Sequence, residues 1–158
     1  MKLSFHIVTL LAAALHVQAH AAEREDALCA PLRAFVDSVA PGETRALAFN
    51  TRWGADFKDS ADENVMSAKR CAHGGYAPAK AVCASLMEHG AVEFSQSNAE
   101  RALTCLSSGT RFASQVTMTR GAFSFNHGTD ERGSSVKLIF DEDQQLGGMV
   151  LRITAEGY

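Results

Sequence analysis

Four cysteines, at positions 29, 71, 83 and 105, constrain the fold of this 158-residue chain more than any other feature. Three of them fall within the stretch Cys71–Leu106. An even number of cysteines in an exported protein indicates disulfides, because the compartment outside the cytoplasm is oxidising. We therefore expect two bridges, each adding roughly 2–4 kcal/mol to the stability of the domain.

The first 21 residues are typical of a secretory signal peptide. Lys2 supplies a positive start, residues 3–17 are mostly apolar, and Ala19-His20-Ala21 matches an A-x-A cleavage site. The apolar run is too short for a membrane anchor, and no basic cluster follows it. We predict cleavage after Ala21, a single domain over residues 22–158, and a periplasmic or secreted location.

Charge narrows the range of partners. Cleavage removes Lys2 and no acidic residue, so the net charge of −3 for the full chain becomes −4. A mildly acidic chain without a basic run is a poor ligand for nucleic acids or anionic membranes. We therefore expect no nucleic-acid partner, and no later segment is apolar enough to predict a membrane span.

The stretch Cys71–Leu106 predicts two antiparallel helices joined by a short link. Pro78 suits a helix start, and an apolar stripe follows it, formed by Ala79, Val82, Cys83, Leu86 and Met87. Gly90 suits a left-handed cap. The second helix is predicted from Ser97 or Asn98 to Leu106.

The predicted hairpin suggests which cysteines are paired. Cys83 and Cys105 lie at similar distances from the link, so they could face each other across the two helices. This reasoning favours Cys83–Cys105 and leaves Cys29–Cys71. Four cysteines allow three connectivities, and the sequence alone does not choose among them.

The remaining elements complete an α+β pattern. A helix is predicted over residues 23–39, a strand over 44–50, and a loop followed by a short helix over 55–70. Alternating apolar residues then predict strands over 111–120, around 123–125, 136–140 and 149–153, with a loop at 126–133. We expect an N-terminal helix and a disulfide-pinned helical hairpin on one face of an antiparallel meander sheet of three to five strands.

The patterns argue against a metal or cofactor site. Cys71, His73, Cys83 and His89 lack the paired C-x2–4-C spacing of structural zinc sites. The acidic residues around 56–63 lack the order of an EF-hand loop, and those of 141–143 are expected to form a solvated turn. We predict neither a metal nor a cofactor.

No catalytic motif is visible. The chain has no G-x-S-x-G elbow and no S-x-x-K motif. A small periplasmic hydrolase remains an alternative function, because a histidine and a carboxylate can meet only in the fold. The candidates are His73 or His127 together with Asp56 or Asp59.

Three short stretches are candidate binding residues. His73, Gly74, Gly75 and Tyr76 place an imidazole and an aromatic ring in a loop whose glycines permit a positive φ. Trp53 and the loop containing His127 could also serve as contacts. We expect a small exported binding protein, of inhibitor or immunity type, whose partner is another protein in the bacterial envelope or outside the cell. A self-associating structural component is a third possibility.

Overall fold

The structure is a computed structural model that describes residues 26–60, 65–107, 109–113 and 117–158. The predicted signal peptide and the first residues of the predicted N-terminal helix lie outside this part of the chain. Within the described residues, no helix has the length and apolar character needed to cross a membrane.

Three helices and five strands follow one another along the chain. They are α1 (Cys29–Asp37), β1 (Thr44–Trp53), β2 (Ser67–Ala72), α2 (Ala77–His89), α3 (Gln96–Leu106), β3 (Gly121–Gly128), β4 (Gly133–Glu142) and β5 (Met149–Gly157). The strands form one antiparallel sheet in the order β2-β1-β5-β4-β3. The predicted α+β class is therefore confirmed.

One face of the sheet supplies half of the core. Phe49 pairs with Leu151, and Leu138 pairs with Ile153, so their side chains share a face. The helices cover this face with buried apolar side chains, among them Leu32, Phe35, Val36, Val82, Leu86, Ala102 and Leu103. The core thus lies between a helical layer and the sheet.

The three helices lie side by side, with α1 packed against both α2 and α3. The α2 residue Ser85 donates a hydrogen bond to Ala27 before α1, and Tyr76 reaches Ser38 at the opposite end of that helix. Helix α2 therefore runs antiparallel to α1. Because α1 separates α2 from α3, the predicted pair of helices does not pack as a direct hairpin.

The disulfides confirm that all four cysteines are bridged, but the predicted pairing is wrong. The bonds are Cys29–Cys105 and Cys71–Cys83, with Cα separations of 4.9 and 5.5 Å. Cys105 faces Cys29 because α1 lies beside α3, and Cys83 faces Cys71 because α2 also covers β2. The predicted pairing required α2 and α3 to pack along their length, whereas each of them packs along α1.

Two predictions of secondary structure are also wrong. Residues 67–72 form β2 instead of a short helix, because pairing with β1 outweighs a weak helical pattern. Part of that helical pattern, residues 61–64, lies outside the described residues. The described part of 111–120 contains no strand, and β3 instead continues through the predicted loop to Gly128, which places His127 opposite Ser134 on β4.

Candidate functional site

The predicted binding residues do not form one site. Trp53 ends β1 opposite Ser67, whereas His73 follows Ala72, which pairs with Ala48. Five residues of strand separate these positions, or about 17 Å. His127 lies on β3, at the opposite edge of the sheet from β2.

The His73–Tyr76 loop has mostly structural contacts. Gly74 and Gly75 have φ of 56° and 76°, the conformation for which glycine is suited. The Tyr76 hydroxyl donates a hydrogen bond to the Ser38 carbonyl (3.0 Å), and its ring packs edge-on against Phe35 with the centroids 6.1 Å apart. Tyr76 thus joins the start of α2 to the end of α1 rather than standing free for a partner.

His127 joins the ends of two helices. Its Nδ1 lies 3.1 Å from the Leu106 carbonyl, and its Nε2 lies 3.2 Å from Asp37 Oδ1. These groups stand at the C-terminal ends of α3 and α1, where the helix dipole favours positive charge. Both ring nitrogens of His127 therefore already have an oxygen atom as their neighbour.

The carboxylates proposed for a hydrolase are bound elsewhere. Asp59 forms a bidentate pair with Arg70, with distances of 2.6 and 2.9 Å, and these hydrogen bonds lower the pKa of Asp59. Asp56 accepts the Phe57 N–H (2.7 Å). The fold instead brings His127 next to Asp37, a pairing that the sequence did not single out.

The residues weighed as zinc ligands, Cys71, His73, Cys83 and His89, are not available as a set. Cys71 and Cys83 are consumed by a disulfide. Among the described residues, no three histidine, cysteine or acidic side chains group closely enough to hold a metal ion.

A groove of about 920 Å³ runs between α1, α3 and residues 110–112. Its most prominent feature is an ion pair in which Asp26 accepts two hydrogen bonds from Arg101, at 2.5 and 2.7 Å. These bonds lower the pKa of Asp26 and raise that of Arg101. A second cavity of about 640 Å³ includes His127, and Arg33 lines both cavities. The charges of Asp26 and Arg101 are thus engaged with each other and not presented to a ligand.

The most unusual surface is an exposed apolar group that we term the apolar tip: Trp53, Met66, Met87 and Phe94. Their exposed fractions are 55%, 69%, 43% and 63%. Among the described residues, Tyr158 is the only other large apolar side chain exposed to this degree. Isolated exposed apolar residues are ordinary, but several at one end of a protein mark an interaction surface.

The chain brings the members of the apolar tip to one end of the molecule. Trp53 and Met66 belong to the connection from β1 to β2, where the Gly54 N–H donates to the Met66 carbonyl (2.9 Å). One turn after the Cys71–Cys83 bond, the Met87 carbonyl accepts a hydrogen bond from Lys69 Nζ (3.1 Å). Helix α2 therefore advances towards this same connection.

Phe94 extends the apolar tip in the link that follows α2. Asn98 holds this link by accepting the Ala91 N–H (2.9 Å) and donating to the Ala91 carbonyl (2.7 Å). The sequence missed most of this surface. Helical periodicity assigned Met87 to the buried stripe, although it is exposed, and the available signal for Phe94 was a large apolar residue in a polar link.

No known protein family, curated protein or solved structure matches this chain. What the fold defines is a class: an α+β domain in which one disulfide joins two helices and the other joins a helix to the edge of the sheet.

Proposed function

We propose that this is an exported, disulfide-stabilised binding protein that acts by contact with another protein, in the periplasm or outside the cell. The observation that carries the proposal is the apolar tip. Tryptophan, phenylalanine and methionine are enriched in the cores of protein interfaces. The signal sequence and the two disulfides support export, and an inhibitor or immunity-type role agrees with an activity based on surface contact.

The rim of the apolar tip favours a protein over a membrane as its occupant. The rim carries charges of both signs: Glu88 and Glu93 adjoin Met87 and Phe94, Lys69 reaches the Met87 carbonyl, and Asp59 is paired with Arg70. Binding to anionic lipid relies instead on a cluster of basic residues. A polar rim around an apolar centre is the usual arrangement of a protein interface.

The apolar tip is also held in place before binding. The Cys71–Cys83 bond ties α2 to β2, so the part carrying Met87 is fixed relative to the part carrying Trp53. Asn98, which is buried, restrains the link that carries Phe94. A surface ordered in advance loses less conformational entropy when it binds.

The test uses the mature protein as bait in envelope and culture-fluid extracts, followed by affinity measurement with the purified partner. The double variant Trp53→Ala, Phe94→Ala is expected to weaken binding by about 30-fold or more, since anchors of this kind contribute about 2 kcal/mol. Tyr158→Ala is the matched control, because Tyr158 is an exposed aromatic residue at the other end of the sheet. The proposal fails if no partner is captured, or if the double variant binds the partner as tightly as the wild type and the Tyr158→Ala control do.

The alternative of a small periplasmic hydrolase draws its support from the contact between His127 and Asp37. Its prediction is hydrolysis of ester or amide substrates by the mature protein, with activity abolished in His127→Gln. Because both ring nitrogens of His127 already face oxygen acceptors, we favour binding over hydrolysis.

A further inference from the structure

We infer that the outer edge of β3 pairs with the β3 strand of a second copy of the chain, so that two sheets join into one across a two-fold axis. The apolar tip plays no part in this contact, because Trp53 and Met66 adjoin the β2 edge of the sheet and β3 forms the opposite edge. It rests on the composition of the strand, the direction of its backbone groups and the symmetry of its side chains.

The two edges of the sheet are protected to different degrees. The β2 edge is six residues long and carries Lys69 and Arg70, and charged residues on short edge strands are a common defence against pairing. The β3 edge is eight residues long and contains no proline, lysine, arginine, aspartate or glutamate. An edge of this kind is a ready template for another strand.

The backbone directions in β3 follow from the hydrogen bonds of its neighbours. Gly133 and Tyr158 exchange both N–H···O bonds, at 3.3 and 3.0 Å, so the backbone of Gly133 faces β5. In an antiparallel ladder these directions alternate, so Ser134 faces β3 and its partner His127 faces β4. The N–H and C=O groups of Ala122, Ser124 and Asn126 consequently point away from β4, towards the open edge.

These outward groups have no backbone partner within the described residues. The backbone hydrogen bonds outside the ladder do not connect residues 109–113 or 117–120 with β3. The sheet order likewise places no described strand beyond β3.

A two-fold axis at Ser124 satisfies the outward groups and the side chains together. Ser124 would exchange both backbone bonds with Ser124 of the second copy, and Ala122 would do so with Asn126. On the core-facing side, Phe123 would stand opposite Phe125 of the second copy. Both rings are only partly buried against the core, so pairing would cover apolar surface and form two cross-strand aromatic pairs.

This self-complementarity is why we commit to a second copy rather than another protein's strand. No like charges meet in this register, because Ala122, Ser124 and Asn126 on the outer face are all uncharged. The contact is confined to one strand, so we expect a weak dimer that depends on concentration.

The experiment measures the mass of the mature protein across a concentration series by analytical ultracentrifugation. The wild type is expected to shift from one chain to two. Ser124→Pro should remain monomeric because it removes an outward N–H without removing a bond to β4. Ser124→Lys should do the same because two lysines would meet at the axis. Ser135→Lys is the matched control, since Ser135 is exposed on the same face of the inner strand β4, and it should still dimerise.

Thermal unfolding of every variant verifies that a monomeric mass does not reflect loss of the fold. A wild type that stays monomeric up to sub-millimolar concentration would overturn the inference, even if its edge were then found to bind a strand of another protein. Dimers that persist in both Ser124 variants would place the contact elsewhere and would overturn it equally. Binding through the apolar tip should be unaffected by these variants, so the two proposals can fail separately.

Discussion

At the scale of single residues, Asp143 has the densest set of polar contacts. Its carboxylate accepts the N–H groups of Gln145 and Leu146, each at 3.0 Å, and the Asn50 side-chain amide at 2.8 Å. The side chain is only 10% exposed, and Arg152 lies 3.3 Å away. The sequence predicted a solvated acidic turn here, but Asp143 ties the β4–β5 turn to β1.

Replacing Asp143 should change both stability and its dependence on pH. The hydrogen bonds, that of the Leu146 N–H foremost, hold the pKa of Asp143 below its usual 3.8. Its stabilisation is therefore complete above pH 3.8 and is lost as the pH falls through the lower folded value. Asp143→Asn should cost about 1–3 kcal/mol at pH 7, with a much smaller deficit at pH 2, as measured by urea unfolding. The exposed Glu142→Gln serves as the control, and equal losses in both variants would contradict this assignment.

Gly90 was correctly predicted to end α2, but the physical reason given for a glycine there was wrong. A left-handed cap was expected, but the backbone has φ of −70° and ψ of 137°. The requirement for glycine is space, because an added Cβ would overlap the Leu86 carbonyl oxygen and would lie 2.8 Å from Cζ of Phe49. The helix end packs directly on a core ring.

Gly90→Ala should therefore destabilise the protein by about 1–3 kcal/mol through steric overlap, despite the ordinary φ. The same substitution in a Phe49→Leu background should cost less, because the smaller side chain removes the overlap with the ring and leaves only the overlap with the Leu86 carbonyl oxygen. Chemical unfolding of the four proteins in this cycle provides the measurement. Additive losses would mean that the Phe49 ring is not the obstacle.

At the scale of secondary-structure elements, the disulfides fix the arrangement of the helices. The Cys29–Cys105 bond spans 76 residues and joins α1 to α3. The Cys71–Cys83 bond spans 12 residues and joins β2 to α2. A longer closed loop restricts the unfolded chain more strongly.

Loss of the Cys29–Cys105 bond should therefore lower the free energy of unfolding more than loss of the Cys71–Cys83 bond. Chain-entropy reasoning gives about 4.5 kcal/mol for the Cys29→Ala, Cys105→Ala variant and about 3 kcal/mol for Cys71→Ala, Cys83→Ala. Equilibrium unfolding of both double variants under oxidising conditions tests the order, and a reducing agent should bring the wild type below either one. Recovery of a Cys83–Cys105 linkage by mapping of non-reduced peptides would contradict the observed disulfide pairing.

Local signals placed α2 and α3 well. Pro78 predicts the start of α2 within one residue of its observed start, because a helix-start signal acts within one element. Strand β2 was missed because its stability comes from pairing with β1, which is remote from any local pattern. The extension of β3 to Gly128 was missed for the same reason, so the position of His127 on this strand was missed as well.

At the scale of the whole molecule, export and oxidation should occur together. The full-length chain produced in a bacterium with a periplasm is expected to lose residues 1–21, begin at Ala22 and contain no free thiol. Intact-mass measurement with and without alkylation tests this, and a cytoplasmic version without the signal sequence is the comparison. Recovery of uncleaved protein, or of alkylated cysteines in the periplasmic product, would contradict the predicted location.

The sequence by itself determined the class of the domain, the positions of α2 and α3 and the use of all four cysteines in bridges. These properties follow from periodicity, helix-start chemistry and cysteine number, which can be seen within short windows. Tertiary structure decided the disulfide pairing, the contacts of His127 and the assembly of the apolar tip. Each of these depends on α1 lying between α2 and α3 or on strand register, and both are set by packing between residues that are distant in the chain.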